Sequence, residues 1–278
     1  MRKTRFQSHL AATCHEWPDL AKVARLFDKE RPRWIFRGHR QASYPLAPTL
    51  ERSLDRMGIP YAEASTWEYR LHREFGRQAA RFGKPVTGAF ETLALMQHYG
   101  APTRLLDWTY SFWVAVWFAL ENAGHEETTC VWAIDLDWFL DKNLAGLSDE
   151  LRRAPSLKDR LPEALAGGSG VLVENPHQLN ERLVAQQGVF VLPRTLEKSF
   201  EENLQTSLGR APSPSRTRRF LKIDIKMKAE ALRFTMLSLH RMNLGRASLF
   251  PGFAGMAEAL RNRVGLESLY KGVDGSVW

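Results

Sequence analysis

Seven residues with reactive or hydrogen-bonding side chains lie close together between His98 and Ser111. They are His98, Tyr99, Arg104, Asp107, Trp108, Thr109 and Ser111. The set offers an imidazole for acid–base work, a guanidinium, a carboxylate and hydroxyls. Apolar segments stand on both sides, so each polar group must be satisfied by a neighbour, by backbone or by a ligand. This segment is therefore the first candidate for a binding or catalytic site.

A second polar cluster occupies Trp34–Arg40, with the sequence WIFRGHR. Arg37 carries a planar guanidinium that can bind a phosphate through two hydrogen bonds. A plainer interpretation is also open, in which Arg37 is a buried structural arginine paired with Asp107.

Composition indicates a globular protein with a large core. The chain has 278 residues, 44% of them hydrophobic, with nine Trp and fifteen Phe. Only two cysteines occur, Cys14 and Cys130, without metal-ligand spacing, so we expect no disulfide framework and no metal. No segment has the length of a secretory or membrane-spanning apolar run, so we expect a cytoplasmic protein without a membrane partner.

Positive charge is concentrated in one late segment. The formal net charge is +8. Within 210–228 the basic residues surround a Pro/Ser-rich loop at 208–219, and they are Arg210, Arg216, Arg218, Arg219, Lys222, Lys226 and Lys228. Two interpretations are open: an exposed, solvated basic loop, or a surface that docks a protein or nucleic-acid target.

Hydrophobic spacing predicts short strands mixed with helices. The predicted helices are Trp17–Lys29, Tyr61–Phe82, Phe90–Tyr99, Ser111–Asn122, Lys228–Leu239 and Met256–Val264. The predicted strands are Arg33–Gly38, Leu105–Trp108, Cys130–Leu136, Val189–Leu192 and Phe220–Ile225. Gln41–Thr49 reads as an irregular connector, Asp137–Leu165 as helical and loop-rich, and Gly167–Gly170 as a break. Because strands and helices do not alternate regularly, we expect a single α+β domain with short mixed or antiparallel sheets flanked by helices.

Several of these blocks resemble the FRG domain family. The resemblance rests on Phe36-Arg37-Gly38, Gln97–Gly100, Pro102–Thr109, Arg182 with Ala185–Phe190, and Leu249–Gly255. It implies one FRG-type domain over 1–278, with a core at about 30–265 and an N-terminal helix at 17–29. The family is found in bacteria and phage, which implies a toxin or phage-defence effector.

The order of the motifs is similar, more distantly, to the ADP-ribosyltransferase-like superfamily. That similarity implies NAD as a substrate, with Arg37 on its phosphates, Thr109 and Ser111 beside the nicotinamide, and Gln186 in the late catalytic position. His98 is the acid–base candidate. The remaining expected contacts are Phe36, Gly38, Arg104, Asp107 and Trp108. Most such transferases have a glutamate where this chain has Gln186, so the negative charge must come from elsewhere, and Glu174 and Glu181 lie nearby.

Structural roles compete with each of these assignments. Arg104 and Asp107 are three residues apart and could form an ion pair within their own turn, and His98 could be a helix-end hydrogen-bonding residue. The chain would then be a non-catalytic ligand-sensing or protein-interaction module. A metal-dependent nuclease built on Asp135, Asp137 and Asp141 ranks third.

Overall fold

Seven strands form one mixed sheet at the centre of the protein. The computed structural model describes residues 9–84, 88–144, 165, 168–176, 180–209 and 218–267. The strands are β1 His9–Cys14, β2 Trp34–His39, β3 Leu106–Thr109, β4 Thr128–Asp135, β5 Val171–Glu174, β6 Gly188–Pro193 and β7 Phe220–Lys226. Their order across the sheet is β1-β7-β4-β2-β3-β6-β5, with β1 and β7 parallel and the other neighbours antiparallel.

Helices cover both faces of this sheet, so the predicted α+β class is confirmed. They are α1 Trp17–Ala24, α2 Thr49–Met57, α3 Ala64–Arg81, α4 Ala89–His98, α5 Phe112–Leu120, α6 Leu136–Leu144, α7 Glu181–Ala185, α8 Phe200–Leu208, α9 Ala229–Arg241, α10 Arg246–Leu249 and α11 Phe253–Glu267. Within the described ranges, no helix is long and apolar enough to span a membrane.

We call the two sides of the sheet the α5 face and the α6 face. On the α5 face, α1, α5 and α9 pack on β2, β4 and β7, while α4 and α7 pack on β5 and β6. On the α6 face, α6 and α8 pack on β2, β3, β4 and β6. Because side chains alternate along a strand, consecutive residues of β2 and β3 belong to opposite faces.

Helix α5 is the most deeply buried helix of the site region. It is apolar all round, as expected for a helix enclosed by other elements. It begins directly after Ser111, whose Oγ accepts a hydrogen bond from the Val114 amide at 3.3 Å, so Ser111 is the N-cap.

Gly38 allows β2 to lie directly against α5. A Cβ atom added at Gly38 would lie 2.0 Å from the Ala115 carbonyl oxygen and 2.7 Å from the Ala119 amide nitrogen. Both are backbone atoms of α5, so a change of side-chain rotamer cannot relieve the clash. The glycine of the Phe-Arg-Gly tripeptide is therefore required for helix–sheet packing.

The predicted helices and strands are present, but several further elements were missed. The elements without a predicted counterpart are β1, α2, β5, α7, α8 and α10. They are short or carry few apolar positions: in α2, only Leu50 and Leu54 are buried. The first helix ends at Ala24 and not at Lys29. Most of the predicted 137–165 segment, Gly167 and residues 210–217 of the basic loop lie outside the described residues.

The Gly38 contact predicts a large loss of stability in Gly38→Ala. We expect overpacking against α5 to lower the free energy of unfolding by about 3 kcal/mol, or to prevent folding. The measurement is urea denaturation. The control is Gly76→Ala within α3, where an added Cβ meets nothing within 4 Å and should stabilise the helix by about 0.5–1 kcal/mol. Equal effects of the two substitutions would contradict the packing argument.

Candidate functional site

A polar cleft lies on the α5 face between α4, β3 and α7. It is shallow, and its enclosed space is about 20 Å³, which is room for about one water molecule. Three of the predicted site residues, His98, Asp107 and Gln186, line it together. The other lining residues are Ala94, Gln97, Asn180, Arg182, Leu183 and Phe190. The structure therefore places a carboxylate, an imidazole and an amide that the sequence predicted in one cleft, although sequence reasoning did not single out Asn180 or assign a role to Arg182.

The carboxylate of Asp107 is held in this cleft by an amide relay. Gln97 Nε2 donates to Asp107 Oδ2 at 2.7 Å, and Thr103 Oγ1 donates to Gln97 Oε1 at 2.5 Å. Leu106 and Trp108, on either side of Asp107, are buried on the α6 face, so alternation turns Asp107 towards the α5 face. Gln97 thus orients the Asp107 carboxylate, a role that sequence reasoning did not give it.

Arg182 is a half-buried cation without a carboxylate partner. Within the described part of the chain its guanidinium makes no ion pair and no hydrogen bond. It stacks instead on Phe250, with 4.5 Å from Cζ to the ring centroid. Burial lowers the pKa of Arg182, while the Asp107 charge raises it and the Arg246 charge lowers it. The cleft therefore contains a half-buried positive charge that Asp107 compensates only from beyond ion-pair distance among the described residues.

His98 ends α4 at the edge of the cleft. Burial lowers the pKa of His98, and the charges of Arg182 and Lys84 lower it further. Its Nδ1 atom is buried without a hydrogen-bond partner among the described residues. The ring lies edge-on to Tyr99, with centroids 4.8 Å apart. A neutral imidazole beside a carboxylate and a guanidinium can accept or relay a proton near neutral pH.

Gln186, Thr109 and Ser111 are tied to one another and to α10. The side-chain Nε2 of Gln186 donates to the Leu249 backbone carbonyl oxygen at 2.9 Å. The backbone carbonyl oxygen of Gln186 accepts a hydrogen bond from Thr109 Oγ1 at 2.7 Å. The Ser111 amide donates to Thr109 Oγ1 at 3.0 Å. These contacts hold α7, β3 and the start of α5 together, so the hydroxyl of Thr109 and the amide of Gln186 already have partners in the protein.

Arg37 lies on the other face of the sheet. Phe36 belongs to the α5-face core, and the preceding Ile35 to the α6-face core, so Arg37 points towards the α6 face. Its Nε donates to His39 Nε2 at 3.1 Å, and its Nη1 donates to the carbonyl oxygen of Asp107. It is therefore not ion-paired with the Asp107 carboxylate. Burial lowers the pKa of Arg37 to about 10, against an opposing effect of the Asp107 charge.

The tripeptide Phe36-Arg37-Gly38 is thus divided between the two faces. Phe36 and Gly38 face α5, whereas Arg37 shares the α6 face with Trp108, which is buried in that core. The structure brings together Arg37, His39 and the backbone of β3, but it does not bring the Arg37 guanidinium into the cleft with Gln186 and His98.

Arg104 is a structural residue in a buried ion pair with α3. Its Nε donates to Glu68 Oε1 at 2.7 Å, its Nη2 contacts the other carboxylate oxygen, and its Nη1 donates to the Pro193 carbonyl oxygen at 3.2 Å. The predicted pair between Arg104 and Asp107 is wrong, because Asp107 turns to the cleft and Arg104 reaches Glu68, 36 residues earlier.

Two of the three carboxylates considered for a metal site, Asp135 and Asp137, are engaged in ion pairs. Asp135 pairs with Arg219, and Asp137 pairs with Arg33 at 2.6 Å. Among the described residues, no group of three His, Cys, Asp or Glu side chains could hold a metal ion. Cys14 and Cys130 are both buried and free, and burial raises the pKa of each thiol to about 12.

The buried ion pair predicts that Glu68→Gln destabilises the protein. We expect about 3 kcal/mol, because the substitution leaves the Arg104 charge buried without a counter-charge. The measurement is the urea unfolding midpoint. The control is Glu74→Gln on the same helix, where the pair with Arg77 is 3.9 Å long and exposed, and the change should stay within about 0.5 kcal/mol. Indistinguishable midpoints for the two variants would show that the pair is not structural.

His39 predicts a specific loss of stability at acidic pH. Burial lowers the pKa of His39 to about 3, and the Arg37, Arg52 and Lys222 charges lower it too. Below about pH 6.5 His39 is therefore protonated in the unfolded chain but not in the folded chain. The free energy of unfolding consequently falls as the pH drops from 6.5 towards 3. Between pH 7.5 and 5 this residue should account for about 2 kcal/mol.

The measurement compares urea denaturation at the two pH values in wild type and His39→Gln. The variant should lose less stability on acidification than wild type does. His125→Gln, at an exposed histidine, is the matched control and should behave as wild type. An unchanged pH dependence in His39→Gln would overturn this account.

Comparison with known proteins bears on the N-terminal part of this architecture. Residues 32–128 match the family model of the FRG domain, a range that runs from β2 to the start of β4 and includes the Phe36-Arg37-Gly38 and Gln97–Thr109 blocks. The match ends before α7 and α10. No curated protein and no solved structure matches the chain. The two blocks that build β2, the Asp107 relay and the entry to α5 therefore lie in the part of the chain that is similar to the FRG domain.

Proposed function

We propose that the cleft binds a phosphate-bearing nucleotide and that NAD is its candidate substrate. The observation that carries the proposal is Arg182, a half-buried guanidinium that faces the cleft without an ion-pair partner among the described residues. A buried charge is costly unless it is paired. An anionic ligand group beside Arg182 would supply that pairing through charge-assisted hydrogen bonds.

The surroundings favour an anion at the Arg182 end of the cleft. Lys84 and Arg182 both act on the imidazole of His98, so positive charge lies on two sides of it. Asp107 supplies the negative charge of the cleft, but its carboxylate is held by Gln97. A ligand with a phosphate at one end and an uncharged group at the other end fits this polarity. A nucleotide has both, because its phosphate is anionic and its sugar is neutral.

The size of the cleft limits how much of a nucleotide it holds. With an enclosed space of about 20 Å³, the cleft is far smaller than the roughly 300–1,000 Å³ of most small-molecule pockets. Under the proposal, only one charged group of NAD approaches Arg182 at the mouth of the cleft. The rest of the ligand would extend across the surface of α4 and α7.

Under this proposal, ADP-ribosyl transfer would use Asp107 where related transferases use a glutamate. Breaking the bond between nicotinamide and ribose develops positive charge on the ribose, which a fixed carboxylate stabilises. Gln186 brings no such charge, whereas Asp107 lies in the same cleft. β2 with Arg37 and β3 with Thr109 are adjacent in the sheet, and Gln186, which follows α7, accepts a hydrogen bond from Thr109. Such an activity would suit an effector of a toxin or phage-defence system.

A second candidate function is a non-catalytic ligand-sensing or interaction module. It is favoured by the number of polar side chains that already have partners inside the protein. Arg37 bonds to His39 and to backbone, Arg104 to Glu68, and Gln186 to Leu249. The two candidates differ in what is expected of NAD turnover and of the Asp107→Asn variant. A transferase turns over NAD, and Asp107→Asn abolishes that turnover while NAD affinity is kept. A sensor shows no NAD turnover in wild type or in the variant.

Arg182→Gln is expected to weaken nucleotide binding. Loss of charge-assisted hydrogen bonds of about 1.5–3 kcal/mol corresponds to an affinity roughly ten to a hundred times lower. The measurement is calorimetric titration with NAD, ADP-ribose and inorganic phosphate, on variants verified as folded by circular dichroism.

The matched control is Arg70→Gln, another arginine stacked on an aromatic ring, 5.5 Å from the Trp67 centroid and far from the cleft lining. It should bind as wild type does. Absence of saturable binding in wild type would reject the nucleotide proposal. Equal affinity in wild type and Arg182→Gln would reject Arg182 as the anion contact.

A further inference from the structure

The solvent side of α3 carries a line of arginines. Arg70, Arg73, Arg77 and Arg81 are all exposed, and their spacing of three, four and four residues places them along one stripe of a helix with 3.6 residues per turn. Neighbouring members are about 5 Å apart along the axis, and the whole stripe is about 16 Å long. We call these four residues the arginine stripe.

Helix α3 holds the stripe in place from its other side. Trp67, Leu71 and Phe75 pack into the clusters beneath the helix. Glu68 forms the buried ion pair with Arg104. Because the buried face of α3 is held at several points, the helix keeps its position, and the spacing of the arginines on its exposed face is maintained.

The charge of the stripe is mostly not neutralised by the protein. Glu74 is the one acid within ion-pair distance in the described part of the chain, and it approaches only Arg77, at 3.9 Å. Arg81 bonds to the neutral amide of Gln78 at 2.9 Å, and Arg70 stacks on Trp67. Arg73 has no ion pair or hydrogen bond with a described residue.

Exposed aromatic rings and another cation continue the stripe beyond the end of α3. Phe82 is 78% exposed and Tyr99 is 53% exposed. Lys84 Nζ lies 5.0 Å from the Tyr99 ring centroid and contacts its hydroxyl. Tyr99 in turn packs edge-on against His98, which lines the cleft. The stripe is thus followed directly in the sequence by Phe82 and Lys84, and Lys84 contacts Tyr99 at the edge of the candidate site.

We propose that the arginine stripe with Lys84, Phe82 and Tyr99 is a docking surface for single-stranded nucleic acid. Regularly spaced guanidiniums match a chain of phosphates. Exposed rings at the end of such a row offer stacking to unpaired bases, which neither a duplex, an acidic peptide nor a lipid surface provides. The proposal does not depend on what binds in the cleft.

The described part of segment 210–228 is a weaker candidate for the same partner. Arg219 is ion-paired with Asp135, and Lys222 contacts Asp224 and donates to the Ala42 carbonyl oxygen. Arg219 and Lys222 are thereby used within the protein, whereas Arg218, Lys226 and Lys228 are exposed. In the stripe, three of the four arginines lack any ion pair with a described residue, and all four follow one helix face at regular spacing, so the stripe is the better match for a row of phosphates.

The test is fluorescence anisotropy of labelled oligothymidine and oligouridine with the whole protein, over a range of salt concentrations. The stripe variant carries Arg70→Gln, Arg73→Gln, Arg77→Gln and Arg81→Gln. The control variant carries Lys22→Gln, Arg25→Gln, Arg233→Gln and Arg241→Gln, four exposed positions outside segment 210–228 with the same total change in charge. A third variant, Phe82→Ser with Tyr99→Ser, removes the rings but no charge.

We expect the stripe variant to bind at least about tenfold more weakly than the control variant, with a salt dependence shallower by about 2–3 in the logarithmic slope. The ring variant should weaken binding without changing that slope, because stacking releases no counterions. Equal binding by stripe and control variants would overturn the stripe as the surface. Equal affinity for a duplex, or binding to anionic vesicles but not to oligonucleotides, would overturn single-stranded nucleic acid as the partner.

Discussion

The arrangement of this protein depends on the direct contact between the backbones of β2 and α5 at Gly38. No side chain fits between them, so β2 lies with Phe36 and Gly38 against the helix and with Arg37 turned away. β3 joins β2 through the pairing of Phe36 with Thr109. That pairing fixes the alternation of β3 as well, and Asp107 consequently faces α4 and the cleft while Trp108 is buried on the other side.

Two kinds of polar residue follow from this arrangement. One kind maintains the fold: Arg104 bonds to Glu68, Arg37 to His39, and Thr109 to the backbone of Gln186. The other kind faces the cleft, where Asp107, His98 and Arg182 bring a negative, a neutral and a positive group together. The functional proposal rests on the second kind, because Arg182, which has no ion pair among the described residues, gains most from an external anion.

The sequence allowed the elements around the motifs to be predicted, but not the partners of each side chain. The helix ending at His98, the helix after Ser111 and the strand at Arg37 follow from local spacing and from proline and glycine positions. The β3 strand has only four residues, too few for alternation to show that Asp107 and Trp108 face apart. Glu68 and Arg104 are separated by a helix and a turn, so no local pattern joins them.

Long-range contacts explain the remaining differences. Arg182 belongs to a five-residue helix, α7, whose position is fixed by contacts with α10 and not by its own sequence. The α3 stripe, in contrast, was present in the helical periodicity of 61–82, but its exposure became clear only when the Glu68–Arg104 pair and the buried aromatics defined the inner face. Charge patterns thus become interpretable once burial is known.

The most direct measurement of the central claim is mapping of amide and arginine side-chain NMR shifts as NAD is added to the whole protein. The account predicts that the signals of Gln97, His98, Asn180 and Arg182 move together and saturate, while those of Arg37, His39 and Cys130 on the α6 face stay in place. Shifts confined to the Arg37 side of the sheet, or no saturable shifts at all, would contradict it.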